Sequence, residues 1–411
     1  MIIDFTVENF LSFKESQTLS LVAQPPYDNH PSHILDTPDD KIKLLKAVVI
    51  YGANASGKSN LLSALNYLKN IVANSNKSSV GDNFSATPFL LDKQNKITPT
   101  SFEINFFCKN IRYNYIVSLD REKIHFESLS SYPKKQKRNV FTRELVGEKF
   151  VYKFGSDLKP ERLYDDISQK TLKNALFLSK AVNENSHELL PVYQWFLENL
   201  SEEDTIHNVA EKIHSDNEYK ENLIEFLSLN DINIVDLDID RQSFADLLSQ
   251  DKNIPTEIKE KIIEDNKNSF FYKIQTIHKD CDEDIVSFDF ELESRGTHKL
   301  FSLSSLIEKT PNTKTFYVDE LSADLHPLLV KNFVNTFQNN SNNQLICVTH
   351  DTHLIDQNSL RKDQIYFVEK NSEQSSELYS LLEFKVRNDR ENWESRYLSG
   401  RYGATPAVFD L

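Results

Sequence analysis

The 411-residue sequence predicts an α/β fold with inserted lobes. Three observations point there. A continuous apolar run, Ala47-Val48-Val49-Ile50-Tyr51, passes through a glycine loop into leucines at helical spacing. Two further strand-sized apolar runs, Thr315–Val318 and Leu345–Val348, flank a segment with Leu329, Phe333 and Phe337 on one helical face. Between these regions, residues 102–119 alternate apolar and polar positions, the pattern of antiparallel strands.

The first of these elements in chain order is a half-buried strand, with Ile3, Phe5 and Val7 alternating against Asp4, Thr6 and Glu8. Residues 24–40, rich in Pro, Asp and His, read as a loop. The run 47–51 has the composition of a central parallel strand buried on both faces, and Leu61, Leu65, Leu68 and Val72 mark the helix after it. Phe102, Ile104 and Phe106, then Tyr113, Tyr115, Val117 and Leu119, are split by Lys109-Asn110 and predict a hairpin within an antiparallel lobe over 85–150. Residues 160–230 read as mostly helical, followed by a short strand at 232–239 and an acidic helix at about 243–265. Val286, Phe288, Phe290 and Leu292 alternate again up to Glu293-Ser294-Arg295-Gly296-Thr297, and Leu300, Leu303 and Ile307 mark a helix beyond. The predicted domains are 1–160, holding the glycine loop and the β lobe, 161–280, a mostly helical acidic insertion, and 281–411, the second part of the head.

Composition narrows the function classes. A hydrophobic content of 39% fits a folded globular chain and excludes wholesale disorder. The opening MIIDFTVENF has no basic stretch ahead of an apolar core, so it does not read as a signal peptide. The longest apolar runs fall far short of the roughly 20 residues of a membrane span. No membrane partner is expected. Cys108, Cys281 and Cys347 have neither metal-like nor disulfide-like spacing, which suggests a reducing, cytoplasmic compartment. The net charge of −15 is concentrated, because Glu198 to Asp265 hold 19 acidic and 6 basic residues. That segment should repel nucleic acid. The one basic run, Lys134-Lys135-Gln136-Lys137-Arg138, reads as a solvated loop, so nucleic acid is not indicated by charge.

The glycine loop reads Gly52-Ala53-Asn54-Ala55-Ser56-Gly57-Lys58-Ser59, followed by Asn60. G-x-x-x-x-G-K-S needs glycines because backbone N–H groups wrap a phosphate chain and leave no room for side chains. Lys58 then reaches the β- and γ-phosphates, and the Ser59 hydroxyl binds Mg²⁺. Two of only eight glycines fall here, between a buried strand and an amphipathic helix, so a chance match is remote. Val318-Asp319-Glu320 ends a buried strand in two carboxylates. In a P-loop enzyme the first, Asp319, holds Mg²⁺ and the second, Glu320, polarises the attacking water. Thr349-His350-Asp351 closes the next strand in the same way. His350 and His353 lack a third ligand and do not make a metal site. Ser294-Arg295-Gly296 precedes a helix, where hydroxyl, glycine and helix N-terminus form an anion site and also suit an N-cap.

Taken together, the chain resembles the ABC-like AAA ATPases associated with abortive phage infection, a bacterial branch related to SMC-like repair ATPases and to nucleases of the overcoming-lysogenization-defect type. The matching segments are NFLSF at Asn9–Phe13, YGANASGKSN, ESRGTHKLFSL, VDELSADLHPLLV, QLICVTHDTHLID, DQIYFVEK with SELYSL, and YLSGRYGATP. They cover the first 70 residues and nearly all of 285–411; the middle matches only loosely. The resemblance implies an ABC-type P-loop ATPase head that binds ATP and Mg²⁺ and pairs with itself, as a homodimer or a higher even-numbered assembly. It implies a switch role for His350, and it places Ser294 and Gly296 against the nucleotide of the other subunit. Asp324 then lies in a D-loop-like stretch, ahead of the family's His326-Pro327. The signature reads Ser-Arg-Gly-Thr where transporters carry Leu-Ser-Gly-Gly-Gln, and Gln94 is a poor Q-loop candidate. In Gly400-Arg401-Tyr402-Gly403 two more glycines predict a constrained backbone, with Arg401 leaning structural.

The resemblance further implies a regulatory or sensor subunit of a bacterial anti-phage defence system that controls a separately encoded effector such as a nuclease. With 61 residues after His350, the chain is expected to lack the Toprim domain of the related nucleases. One alternative is a DNA-repair or chromosome-maintenance ATPase acting directly on DNA, against which stand the acidic insertion and its lack of sustained heptads. Another is a nuclease in its own right, for which no metal-nuclease constellation is visible. Transport is disfavoured by the signature.

Overall fold

A computed structural model describes residues 1–243, 270–385 and 391–406. By contacts the chain forms two units. The first comprises Met1–Glu202, Lys309–Ser322 and Val334–Leu411, and the second Glu203–Glu308 and Ala323–Phe333.

In chain order the first unit contributes strands β1 (Ile2–Glu8), β2 (Gln17–Ser20), β3 (Ile34–Leu35), β4 (Leu44–Leu45) and β5 (Ala47–Tyr51), then helix α1 (Lys58–Asn74). An antiparallel run follows: β6 (Thr100–Cys108), β7 (Ile111–Leu119), β8 (Ile124–Ser131), β9 (Arg138–Val146) and β10 (Lys149–Phe154). Helices α2 (Glu161–Lys170), α3 (Phe177–Asn183) and α4 (Leu190–Asn199) lead to β11 (Leu200–Glu202). The second unit holds α5 (Ile206–Ser215), α6 (Asn217–Leu229), β12 (Asp236–Ser243), β13 (Phe270–Lys279), β14 (Ile285–Asp289) and α7 (Arg295–Ile307). After these come β15 (Thr315–Val318), α8 (Pro327–Asn340), β16 (Gln344–Val348), β17 (Ile365–Lys370), β18 (Ser376–Ser380) and α9 (Trp393–Leu398).

The first unit has two large sheets. One is antiparallel, in the order β10-β9-β8-β7-β6-β1-β2. The other runs β11-β15-β16-β5-β17-β18 and is parallel except at β18. Every residue of β5 is buried, which is why its sequence is uninterrupted Ala, Val, Ile and Tyr. Leu61, Leu65 and Leu68 of α1 share one buried cluster with Val48 and Ile50 of the parallel sheet and Phe5, Phe102 and Ile104 of the antiparallel one. This is the α/β head with an antiparallel lobe that the sequence predicts. Among the described residues no helix is long and apolar enough to cross a membrane.

Three expectations are adjusted. The lobe expected over 85–150 has its strands from Thr100 to Phe154, joined by β1 and β2. The strand expected at 232–239 lies at Asp236–Ser243, because Asp231 turns through a left-handed conformation (φ 63°) after α6 and the chain needs the next residues to reach β13. The alternation at Val286–Leu292 is not one strand face. β14 ends at Asp289, and the next three residues form a single 3-10 turn in which Phe290 is buried against His298 and Phe301. Leu292 is left 75% exposed. The acidic helix expected at about 243–265 lies, from residue 244 on, outside the described residues.

The antiparallel lobe encloses a fully buried ion pair. Glu127 accepts hydrogen bonds from the Phe177 and Leu178 amides (2.6 and 2.9 Å) at the start of α3 and from Tyr115 (2.9 Å). Arg143, 3.6 Å away, donates to the carbonyls of Ala175 and Leu172. Removing one partner leaves the other charged in apolar surroundings. Arg143→Met is therefore expected to cost about 3–5 kcal/mol, seen as a lowered urea midpoint; an unchanged midpoint would show the pair to be energetically idle.

Candidate functional site

β15, β16 and β5 are neighbours, and their register pairs Val318 with Cys347 and Val348 with Ile50. The connections beyond are tied to the same ladder. Leu321 N donates to Val348 O (2.9 Å) and Thr349 N to Ile50 O (3.3 Å). Asp319-Glu320, His350 and the loop from Gly52 therefore emerge side by side at the carboxyl ends of three parallel strands, the edge where open α/β sheets bind ligands.

The loop is cramped. Gly57 starts α1 at φ 113°, a region that side chains avoid, and a Cβ there would run into the hydroxyls of Ser376 and Ser12. A Cβ on Gly52 would run into the carbonyl of Val368 and stand 2.7 Å from Ser56 Oγ. Lys58 is only 6% exposed, and its ammonium donates to the carbonyls of Gly52 and Ala53 (2.9 Å each). Burial holds its pKa below the usual lysine range, with Asp319 and Glu320 opposing. Ser56 is buried; Asn54, Ala55 and Ser59 are exposed. The Asn60 amide donates to Ser12 Oγ (2.8 Å).

Asp319 and Glu320 are both exposed. Glu320 adopts φ 51°, costly for a residue with a side chain, and its amide donates to Asp319 Oδ1 (3.1 Å). His350 is pushed below the usual imidazole pKa, first by partial burial and then by Lys58, while Glu320 and Asp319 act in the other direction. Lys58 and the two carboxylates thus act on His350 with opposite signs. A neutral imidazole at pH 7 offers one donor and one acceptor. The exposed oxygens of Ser59 and Asp319, on elements that meet here, are ligands of the type a small hard cation takes, and the two glycine positions fit a chain passing close to backbone.

The second unit holds the remaining site candidates. Ser294 caps α7, accepting from Thr297 N (3.1 Å), with Thr297 Oγ1 2.9 Å from its hydroxyl. A Cβ on Gly296 would stand 2.9 Å from the backbone oxygen of Asp324, itself at φ 60°, so the two segments meet through bare backbone. His326 Nδ1 accepts from Leu328 N (3.2 Å) and opens α8. Elsewhere, Lys135 of the basic run pairs with Asp39 (2.7 Å), Gln94 is exposed at the start of a 3-10 turn, and His353 pairs with Asp351 (2.7 Å). Among the described residues no group of three His, Cys, Asp or Glu is arranged to hold a metal.

Sequence reasoning overlooked Ser12 and Ser376. Both lie in segments quoted for the resemblance, yet 364 residues separate them and no spacing rule joins them.

A protein-family model described as "AAA domain, putative AbiEii toxin, Type IV TA system" matches residues 47–356. Among solved structures the chain is similar to the SMC head domain from Thermotoga maritima, at 12% identity, with 94% of this chain and 99% of that one covered and a TM-score of 0.42. It is also similar to an SMC head bound to the C-winged helix domain of ScpA (13% identity, 92% and 97% covered, TM-score 0.39). The recombination mediator RecF is a third such structure (17% identity, 92% and 98% covered, TM-score 0.29). No curated protein matches the chain.

The field at His350 has two signs that can be separated. Lys58→Ala removes a cation and should raise the His350 pKa, whereas Glu320→Gln removes an anion and should lower it further. Imidazole proton NMR over pH 5–8 measures both; shifts in the same direction would show that the three groups do not share a field.

Proposed function

Because the chain belongs to this AAA-domain family and is an ATPase, we propose that it works as an ATP-gated dimer in the cytoplasm, the regulatory or sensor subunit of an anti-phage system. One observation carries the mechanism: Lys58, Asp319, Glu320 and His350 come together at the carboxyl ends of three adjacent parallel strands.

In this reading the amides of Gly52–Ser59 and the Lys58 ammonium hold the phosphate chain, with Asn60 in the first turn of α1 behind them. Ser59 and Asp319 hold Mg²⁺, which when bound offsets phosphate charge. Glu320, fixed by its unusual backbone, orients the attacking water and takes its proton. Neutral His350 hydrogen-bonds the γ-phosphate. Ser294 and Gly296 of a second subunit complete the site, so ATP joins two copies and hydrolysis releases them. The close approach of Gly296 to Asp324 supports this, since it ties the signature to the stretch expected at the subunit boundary.

The family's description supports a defence setting, in which the ATPase cycle restrains or releases a separately encoded effector such as a nuclease. The same description names a toxin, which favours a second reading: the chain itself is the growth-inhibiting component. Expression alone and with the adjacent gene separates the two, since arrest by the chain alone supports the second and arrest only with its neighbour the first.

Glu320→Gln should lower phosphate release by about 10²–10⁴ while the protein keeps ATP and accumulates as a dimer, read by mass measurement with and without nucleotide. Undiminished hydrolysis would remove Glu320 from the mechanism, and a monomer at saturating ATP would remove the gate.

A further inference from the structure

Behind the phosphate loop lies a pair of serines from opposite ends of the chain. Ser12 follows β1 and Ser376 opens β18. Their hydroxyls are 2.7 Å apart, and Ser376 N donates to Ser12 O (2.8 Å). Ser376 is fully buried, and its hydroxyl donates to Ser56 O inside the loop. The Asn60 amide, in the first turn of α1, donates to Ser12 Oγ (2.8 Å).

Proton counting orders these bonds. A hydroxyl has one proton and a carbonyl only accepts, so Ser376 is the donor to Ser56 O. Ser376 is also the donor toward Ser12 Oγ, so its one proton lies between two acceptors, and Ser12 Oγ accepts from Asn60 as well. The result is a hydroxyl relay centred on Ser376, which joins the Ser56 carbonyl to Ser12 Oγ, while Asn60 holds Ser12 Oγ from the helix side. In a trans peptide the carbonyl oxygen and the following N–H point in opposite directions. Fixing Ser56 C=O against Ser376 therefore turns the Gly57 N–H to the side away from the serines. The two hydroxyls also fill the space where a Cβ on Gly57 would stand, so the relay and the glycine are one arrangement. Neighbouring bonds keep the partners in place: Ser375 Oγ accepts from Lys14 N (3.1 Å), and Lys14 pairs with Glu373 (2.6 Å).

We propose that Ser12 and Ser376 are positioning residues for ATP hydrolysis: their hydroxyl relay sets the Ser56–Gly57 peptide so that its N–H faces the phosphate chain. This rests on the reading that the Gly52–Ser59 loop holds those phosphates.

The test is steady-state hydrolysis by the full chain carrying Ser12→Ala, Ser376→Ala or both. Each single change should raise the KM for ATP about tenfold, the scale of one lost hydrogen bond in a polar network, with kcat within about threefold. The double variant should be no worse than either single, because a relay broken once is already broken. Ser376→Thr, which keeps the hydroxyl, should restore KM to within about threefold. Multiplying KM effects, or lowered melting temperatures with KM unchanged, would reduce the pair to ordinary packing and overturn the proposal. Should Ser376→Ala fail to fold, Ser12→Ala against Ser12→Thr decides by the same KM criterion. Lys58→Ala tests the underlying reading separately: if it binds ATP normally in calorimetry the loop assignment fails, whatever the serines do.

Discussion

The structure depends most on the parallel pairing of β16 with β5. Four register pairs, from Leu345 with Ala47 to Val348 with Ile50, decide that His350 emerges beside the phosphate loop. Both strands are buried throughout. A slip of one residue would turn every side chain to the other face of the sheet, displace Ile50 and Val348 from the shared core, and carry His350 away from Lys58. The site's geometry is thus held by apolar packing that never touches a ligand.

Two buried glutamines secure that register from behind. Gln344, at the start of β16, accepts from Ile2 N (2.6 Å) and donates to Ile2 O (3.0 Å) and Leu45 O (3.3 Å), so one side chain joins the antiparallel sheet to the parallel one. Gln364, just before β17, donates to Ala47 O (2.8 Å) and to Gln338 (2.5 Å) and accepts from Arg361 N (2.9 Å). Neither amide is left unsatisfied, which buried polar groups require. Arg361 extends the network, donating to Asp363 and to the carbonyls of Gln24, Pro26 and Asn29. The loop 24–40, unremarkable in sequence, is anchored there.

Much of this was legible beforehand, for identifiable reasons. β5, β15 and β16 are apolar on both faces, a pattern that only central parallel strands sustain, and each leads into a polar or glycine motif of fixed chemistry. The Phe102–Leu119 hairpin was legible because its alternation matched a true two-sided sheet. The same rule failed at Val286–Leu292, where Phe290 is buried by a turn and Phe288 stays 41% exposed. Alternation records spacing and says nothing about which neighbour arrives. The Ser12–Ser376 pair was illegible because 364 residues separate its members, and the Glu127–Arg143 pair because nothing in the sequence says that this facing pair of neighbouring strands is buried.

The Gly400–Gly403 tail shows how a motif resolves once distances are known. Gly403 adopts φ 68°, and a Cβ there would collide with the Glu369 carboxylate and stand 2.6 Å from the Tyr379 hydroxyl, so the position has no room for a side chain. Tyr379 donates to Tyr402 O (2.8 Å), and Tyr397 donates to Ala404 O (3.1 Å). Tyr402 is buried against Phe367 and Phe384, whereas Arg401 is exposed. What the motif supplies is a backbone path over β17 and β18, with the tyrosine as its anchor. That path also brings Glu394 of α9 to Thr352, which donates to it at 2.6 Å, two residues beyond His350. The loop carrying the histidine is therefore held from both sides, by the β16–β5 ladder before it and by the tail after it. His350 itself is exposed and makes little of the packing that would otherwise fix it, so these two anchors decide where its backbone lies.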